Sequence, residues 1–400
     1  MSARLALVAV AIGYAAVVPM FSAQSAPEST IAKEGQQIFR YDTFGDEQLW
    51  TDELQLHTAI AKVPPATALA VGLQVDVEAL PVVVRQALRA REVKLDDPAV
   101  TLQLLQLDAV VGVRGRVSAD GTLESIGITC ALCHSVVDDS LAPGIGRRRD
   151  GWPNRKLNVG AIIALSPVLT EAERELFSGW GPGKFDPRLQ AFDGTERISL
   201  NPTTLPVVIP LASGLRRIGF ETFTADGPIS YWNNYVGVSQ MGGHGSFSDP
   251  RIGLTIVQTP DRVTPKLAAL REYQLRLPAP EPPRGSFNRA AAVRGERLFN
   301  GAARCATCHP APLFTDVLLS SSPPLLHPAA ETGMEPVYAS RSATGGYRAS
   351  PLRGLWQHPP YFHDGSAADL DAVVRHYNTE LELGLSAGEQ ADVVEYLKSL

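Results

Sequence analysis

Cysteine is scarce in this 400-residue chain. There are four, and all four fall in two CxxCH motifs, so none remains for a structural disulfide. An exported protein with spare thiols usually pairs them; here each thiol is committed elsewhere. The chain also lacks a basic run, and its net charge is −6. It therefore lacks the electrostatic footprint of a nucleic-acid binder. Beyond residue 26 no apolar stretch is long enough to span a bilayer. What is present is an ordinary apolar fraction, 44%, in a length that suits two domains.

The first residues read as an export signal. Arg4 is a short positive region, Leu5 to Met20 is apolar, and small residues follow at Ser22, Ala23, Ser25 and Ala26. Residues 1–26 are expected to be a cleaved signal peptide, which directs the mature chain to the periplasm. The competing reading is an uncleaved N-terminal anchor.

Two regions follow. Residues 27–276 hold the first CxxCH, residues 287–400 the second. Residues 277–286 between them are rich in proline, which denies them helix and ladder hydrogen bonds and predicts a stiff linker. In the second region a helix is expected from Ala290 to Asn300, just before the motif. Ser386-Ala-Gly-Glu389 is a capping-box pattern ahead of Ala391, Val394, Leu397 and Leu400 on one helical face. Such helices would pack over the edge of a flat cofactor.

The first region opens similarly, since Glu34-Gly-Gln-Gln-Ile-Phe39 echoes Arg294-Gly-Glu-Arg-Leu-Phe299. A large insertion then precedes Cys130. Helices are expected at Val82–Ala90 and Ala99–Leu107, and a hairpin around Ala119-Asp-Gly121. The expected fold is mainly α: two cytochrome c-like domains, each around one covalently bound haem, with long loops and the insertion in the N-terminal half.

CxxCH sets two thiols within reach of the two haem vinyl groups and points the following imidazole at the iron. Cys130, Cys133 and His134 form one such motif; Cys305, Cys308 and His309 form the other. Zinc would want two CxxC pairs on a single ion. A thioredoxin-like redox motif has no use for the histidine. Two covalently bound haem c groups follow, with His134 and His309 as proximal ligands.

The segment Ser350-Pro-Leu-Arg-Gly-Leu-Trp-Gln-His-Pro-Pro-Tyr-Phe-His-Asp-Gly365 resembles the PYFHDG signature of the bacterial di-haem cytochrome c peroxidase and MauG superfamily. The resemblance covers both CxxCH motifs and most of the last 110 residues and is weak between about Thr51 and Ile128. It implies that Tyr377 stands where the peroxidases place a distal methionine, as MauG-like proteins do. A phenolate favours ferric iron, a thioether ferrous iron. Met334 is the rival sixth ligand. Where peroxidases often carry a loop histidine that caps the first haem, this chain has Arg147, which implies an open first haem. His244 is a further candidate to approach it. The family's relay tryptophan between the haems falls on Trp180, with Trp152 and Trp232 as alternatives. Arg353 is expected to pair with a propionate. The family often binds calcium between its domains, for which Asn154 and Asn158 are the available side chains.

The resemblance thus implies a periplasmic di-haem oxidoreductase that uses hydrogen peroxide at the first haem, with electron transfer through the second. Its partner would be a small redox protein, a cytochrome c or a cupredoxin, or a protein substrate. The alternatives are a non-catalytic electron carrier and a di-haem oxygenase.

Overall fold

The computed structural model describes residues 30–320 and 323–400. The expected signal segment, 1–26, lies outside the described residues.

Two helix crossings frame the molecule. The Thr30–Tyr41 helix buries Ala32, Gly35, Ile38 and Phe39, a spacing that puts one stripe against the Leu267–Gln274 helix. Gly35 is the point of contact: a Cβ there would lie 1.9 Å from the Ala269 carbonyl oxygen and 2.8 Å from Tyr273 Cβ. Phe39 then meets the Tyr273 ring edge-on at 5.5 Å. The second crossing repeats the first. A Cβ at Gly295, in the Arg289–Phe299 helix, would lie 1.9 Å from the Asp392 carbonyl oxygen and 2.9 Å from Tyr396 Cβ. Phe299 meets Tyr396 at 5.2 Å. The weak Gly…Phe repeat in the sequence is therefore a pair of equivalent close approaches.

One helix cap is the expected one, at Ser386, and another is new, at Asn288. The Asn288 side chain accepts from the Ala291 amide at 3.1 Å. Ser386 and Glu389 form the capping box that opens the Ala387–Lys398 helix. That helix buries Val393, Val394, Tyr396 and Leu397, whereas Ala391 is exposed. The buried arc is turned from the predicted one because the helix is held by several elements, the Arg289–Phe299 helix, the Leu370–Glu380 helix and the turn at Leu355–Gln357.

A second structural repeat has almost no sequence signal. Glu221 bridges Gly227, and Tyr361 bridges Ala367. Thr222 and Phe362 share a positive φ, +63° and +62°, as do Ala225 and Gly365. Each loop leads into a helix, Ile229–Tyr235 or Leu370–Glu380.

The rest is helix-rich with short two-stranded ladders. Within the insertion lie the helices Pro65–Ala70, Val82–Arg89 and Pro98–Gln106. Its hairpin pairs Val113–Val117 with Leu123–Ile128. Val75, Leu80, Leu104 and Ile145 form a small core there. The proline-rich segment makes no ladder, yet it is fastened on both sides. The Gly214 amide donates to the Leu277 carbonyl at 2.8 Å, and the Trp356 indole N–H donates to Pro280 at 3.1 Å. No helix among the described residues is long and apolar enough to cross a membrane.

Gly295→Ala is expected to force the crossing apart and to cost about 1–3 kcal/mol by overpacking. Gly388→Ala, in the same helix pair but with nothing within 4 Å of its Cβ, is expected to be neutral or stabilising by up to about 1 kcal/mol. Urea midpoints of the two variants check the contrast.

Candidate functional site

Each CxxCH opens onto an apolar cavity. The first motif is a single helical turn, with the His134 amide donating to the Cys130 carbonyl at 3.1 Å. The turn is pressed onto Gly112, where a Cβ would come within 2.0 Å of the Leu132 nitrogen; only glycine fits. Cys130, Cys133 and His134 face a cavity of about 230 Å³. Trp232, Val236 and Met241 are among the residues lining it.

The second cavity, about 280 Å³, is lined by Cys305, Cys308 and His309 together with Tyr377, Met334 and His363. His309 Nδ1 lies 3.0 Å from the Phe314 carbonyl. Donation there leaves Nε2 as the bare nitrogen, the orientation a metal-ligating histidine needs. His363 is buried and does not reach out as a ligand. Its ring stacks on Tyr338 at 5.4 Å, and its Nε2 meets the Tyr347 hydroxyl at 3.1 Å.

The electrostatics favour neutral groups. Burial pushes Cys130 and Cys133 up to about 12 and Cys305 up to about 11. A redox-active CxxC needs the opposite shift, so disulfide exchange does not suit these thiols. Burial pushes His134 down to about 4, against the pull of the Pro210 carbonyl and with Arg155 adding to the fall. His309 is lowered for the same first reason. A neutral imidazole is the form that binds a metal. Burial holds Tyr377 as a phenol, up to about 12, with both cysteines of the second motif adding to the shift.

A thin partition separates the cavities. Pro210, Leu211, Leu215, Thr222 and Phe223 line both, and Phe223 is the aromatic among them. An ion pair crosses the partition: Glu221 lines the first cavity, Arg348 the second, and their charged atoms are 3.3 Å apart. Arg348 also donates to the Phe220 carbonyl. Arg155 lines the second cavity with its Nε and Nη1 buried and without partners. Burial lowers it to about 10. These features fit haem c. The walls are apolar, two thiols and a neutral imidazole face each cavity, and an unpaired guanidinium stands ready for a propionate.

Comparison with known proteins gives one curated relative, the methylamine utilization protein MauG of Methylorubrum extorquens. It is 31% identical over 157 residues, covering 33% of this chain and 43% of the relative. The chain thus matches less than half the length of that protein. Over that stretch the chain is similar to MauG, a likeness that supports kinship with the MauG and di-haem cytochrome c peroxidase superfamily. No protein-family model matches it. Among solved structures, a MauG-like protein associated with microbial copper homeostasis aligns at 19% identity and TM-score 0.36, covering 54% of this chain and 85% of that one. Hydrazine synthase from Kuenenia stuttgartiensis aligns at 20% identity and TM-score 0.31, covering 49% and 72%.

Several side chains singled out by resemblance to this superfamily lie elsewhere than expected. Trp180 is buried on the wall of the first cavity, its indole N–H donating to Thr204 at 2.9 Å. It does not line the second cavity, whereas Phe223 lines both. Trp232 also lines only the first cavity. Trp152 lines neither and packs edge-on against Trp356 at 5.8 Å. Arg353 does not reach the second cavity either. Its guanidinium donates to the Pro312 carbonyl at 2.9 and 2.7 Å, bracing the loop after His309. The buried cations at that cavity are Arg155 and Arg348, which carry no motif and were not legible in the sequence.

The two side chains named for calcium make local hydrogen bonds. Asn154 Oδ1 accepts from the Lys156 amide and its Nδ2 donates to Gly72. Asn158 caps the Val159–Ile163 helix. His244 is held on the Pro260 carbonyl at 2.8 Å, and neither His244 nor Arg147 lines the first cavity. Among the described residues one cluster has metal-ligand spacing, Cys308, His327 and Glu331, and its thiol belongs to the second CxxCH.

Burial raises Glu221 against the pull of Arg348, and lowers Arg348 against the pull of Glu221. Arg348→Met is expected to cost about 3–5 kcal/mol, because it strands a buried carboxyl. A carboxyl raised in the fold binds its proton more tightly there than in the unfolded chain, so stability falls as pH rises above its unfolded value. The penalty should therefore be larger at pH 8 than at pH 5. Arg348→Met/Glu221→Met should recover most of it. Denaturation midpoints at the two pH values read both effects.

Proposed function

We propose that the chain is a periplasmic di-haem c-type oxidoreductase of the peroxidase and MauG kind. In this reading hydrogen peroxide is reduced at the first site, and the second passes on electrons from a small redox protein or a protein substrate. The observation that carries it is the asymmetry of two otherwise equivalent cavities. Counted from the helix caps Asp369 and Pro228, the place of Tyr377 in the second cavity falls on Val236 in the first. Tyr377 offers a hard oxygen donor; Val236 offers none.

Haem c, when bound, would supply a redox-active iron for reaction with an oxidant and for electron transfer. The protein residues have distinct tasks. Cys130, Cys133, Cys305 and Cys308 would tether the two groups, and His134 and His309 would hold their irons. The Phe314 carbonyl fixes the His309 tautomer. Arg155 would hold a propionate. Phe223 and the Glu221–Arg348 pair stand between the sites. Glu221 lines the first cavity, and burial raises its carboxyl against the pull of Arg348, so it is the acid–base group this reading places beside the first site. Met241 lines that cavity as well, so the spin state of the ferric protein is the deciding measurement.

Protein matured in a host that attaches haem is expected to carry two haems per chain by pyridine haemochromogen assay, and Cys130→Ser/Cys133→Ser one. The ferric spectrum should show one high-spin centre that responds to hydrogen peroxide. Two low-spin, peroxide-silent centres would favour the electron carrier instead. Tyr377→Phe should raise the midpoint potential of the second centre, since it removes an oxygen donor that favours ferric iron.

A further inference from the structure

Between the insertion before Cys130 and the Val159–Ile163 helix lies a third cavity, about 240 Å³, that no cysteine or histidine of either motif lines. Its walls are side chains such as Leu56, Ile60, Val63, Leu69, Leu104 and Leu105, and no charged residue lines it. Two of the polar side chains that line it, Thr101 and Gln74, are engaged by the backbone. The Thr101 hydroxyl donates to the Val63 carbonyl at 2.6 Å. Gln74 Oε1 accepts from the Val137 amide at 2.6 Å, on the strand that follows His134.

Protein interiors are close-packed, and apolar voids larger than a water molecule are few. One that persists stays dry and takes apolar guests. Two features make this cavity more than a packing gap. Trp50, Ile128, Leu132 and Val159 line it and the first CxxCH cavity alike, so one layer of side chains separates them. On its outer side Pro65, Leu69, Val75 and Leu104 are shared with another apolar cavity, about 190 Å³. That outer space lies under the Val82–Arg89 helix, which buries none of its residues and leaves Val82 and Val83 at 59% and 68% exposure. A helix so lightly anchored opens at low cost. The three spaces form an apolar series from the surface to the first motif.

We propose that the cavity of the insertion binds one small uncharged apolar molecule, a short aliphatic or single-ring aromatic compound, admitted beneath the Val82–Arg89 helix. The proposal rests on the di-haem reading only for its use, which is to hold such a molecule one side chain away from the reaction site.

Toluene titrated into the full haem-loaded protein tests it by calorimetry. The expected result is saturable one-to-one binding. Ala68→Phe and Leu104→Trp, which fill the cavity, should each weaken binding at least about tenfold with the haem absorption spectrum unchanged. Benzoate, the charged counterpart, should not compete. No saturable binding, binding that survives both filling variants, or benzoate binding as tightly as toluene would each overturn the proposal. A colourless chain that still binds toluene would defeat the di-haem reading and leave the cavity assignment standing.

Discussion

Everything in this molecule is built around a close approach that only glycine permits. Gly35 and Gly295 let the helix before each CxxCH touch the backbone of a later helix. Any side chain there would set its Cβ 1.9 Å from a backbone carbonyl oxygen and push the two apart. Because the helices meet so closely, Phe39 and Phe299 can each reach across to a tyrosine. The crossed pair then closes one end of a space that no side chain fills. Interiors do not tolerate hollow apolar spaces of this size without a large loss of stability. The two cavities are thus sites whose filling completes the core, which is why the chain can carry long loops and little sheet.

The second constraint is charge at the partition. Glu221 and Arg348 are both buried, and each is held against its own desolvation by the other. Such a pair contributes little net stability. What it does is fix where one cavity ends and the other begins, since both partners are also tied to the loop around Phe220 and Phe223. Arg155 is different. It sits unpaired beside His134 and His358 and depresses both. A buried cation in that state is out of balance until an anion joins it.

Much of this was legible in the sequence. The two CxxCH motifs, the capping box at Ser386 and Glu389, the hairpin at Gly121 and the Gly…Phe repeat each carry a local physical signal, and each is found where expected. What stayed hidden depends on long-range placement. The repeat between the Glu221 and Tyr361 loops is one of backbone conformation, and Thr222 and Phe362 share a φ without sharing chemistry. The resemblance implies a relay at Trp180, although the residues around it depart from the family's usual pattern. Only the packed structure shows that a phenylalanine holds the shared wall. Arg353 lay inside a motif and drew attention from Arg155, which lay in none. The buried face of the last helix was misread at Ala391 because a helix held by several elements does not follow a single stripe.

The insertion supplies the last step. Superfamily resemblance fades between about Thr51 and Ile128, yet this stretch builds one side of the first cavity through Trp50, Leu54 and Ile128. The wall nearest the first motif is therefore the part of the site that the resemblance does not describe. The second cavity is walled by the PYFHDG loop and the terminal helices, where the resemblance is strongest. The residues from Trp50 outward to the Val82–Arg89 helix line a series of apolar spaces between the first motif and the surface, and they lie in this chain's own insertion or at its edge. If a small apolar molecule reaches the first motif along that series, packing in the insertion is what selects it.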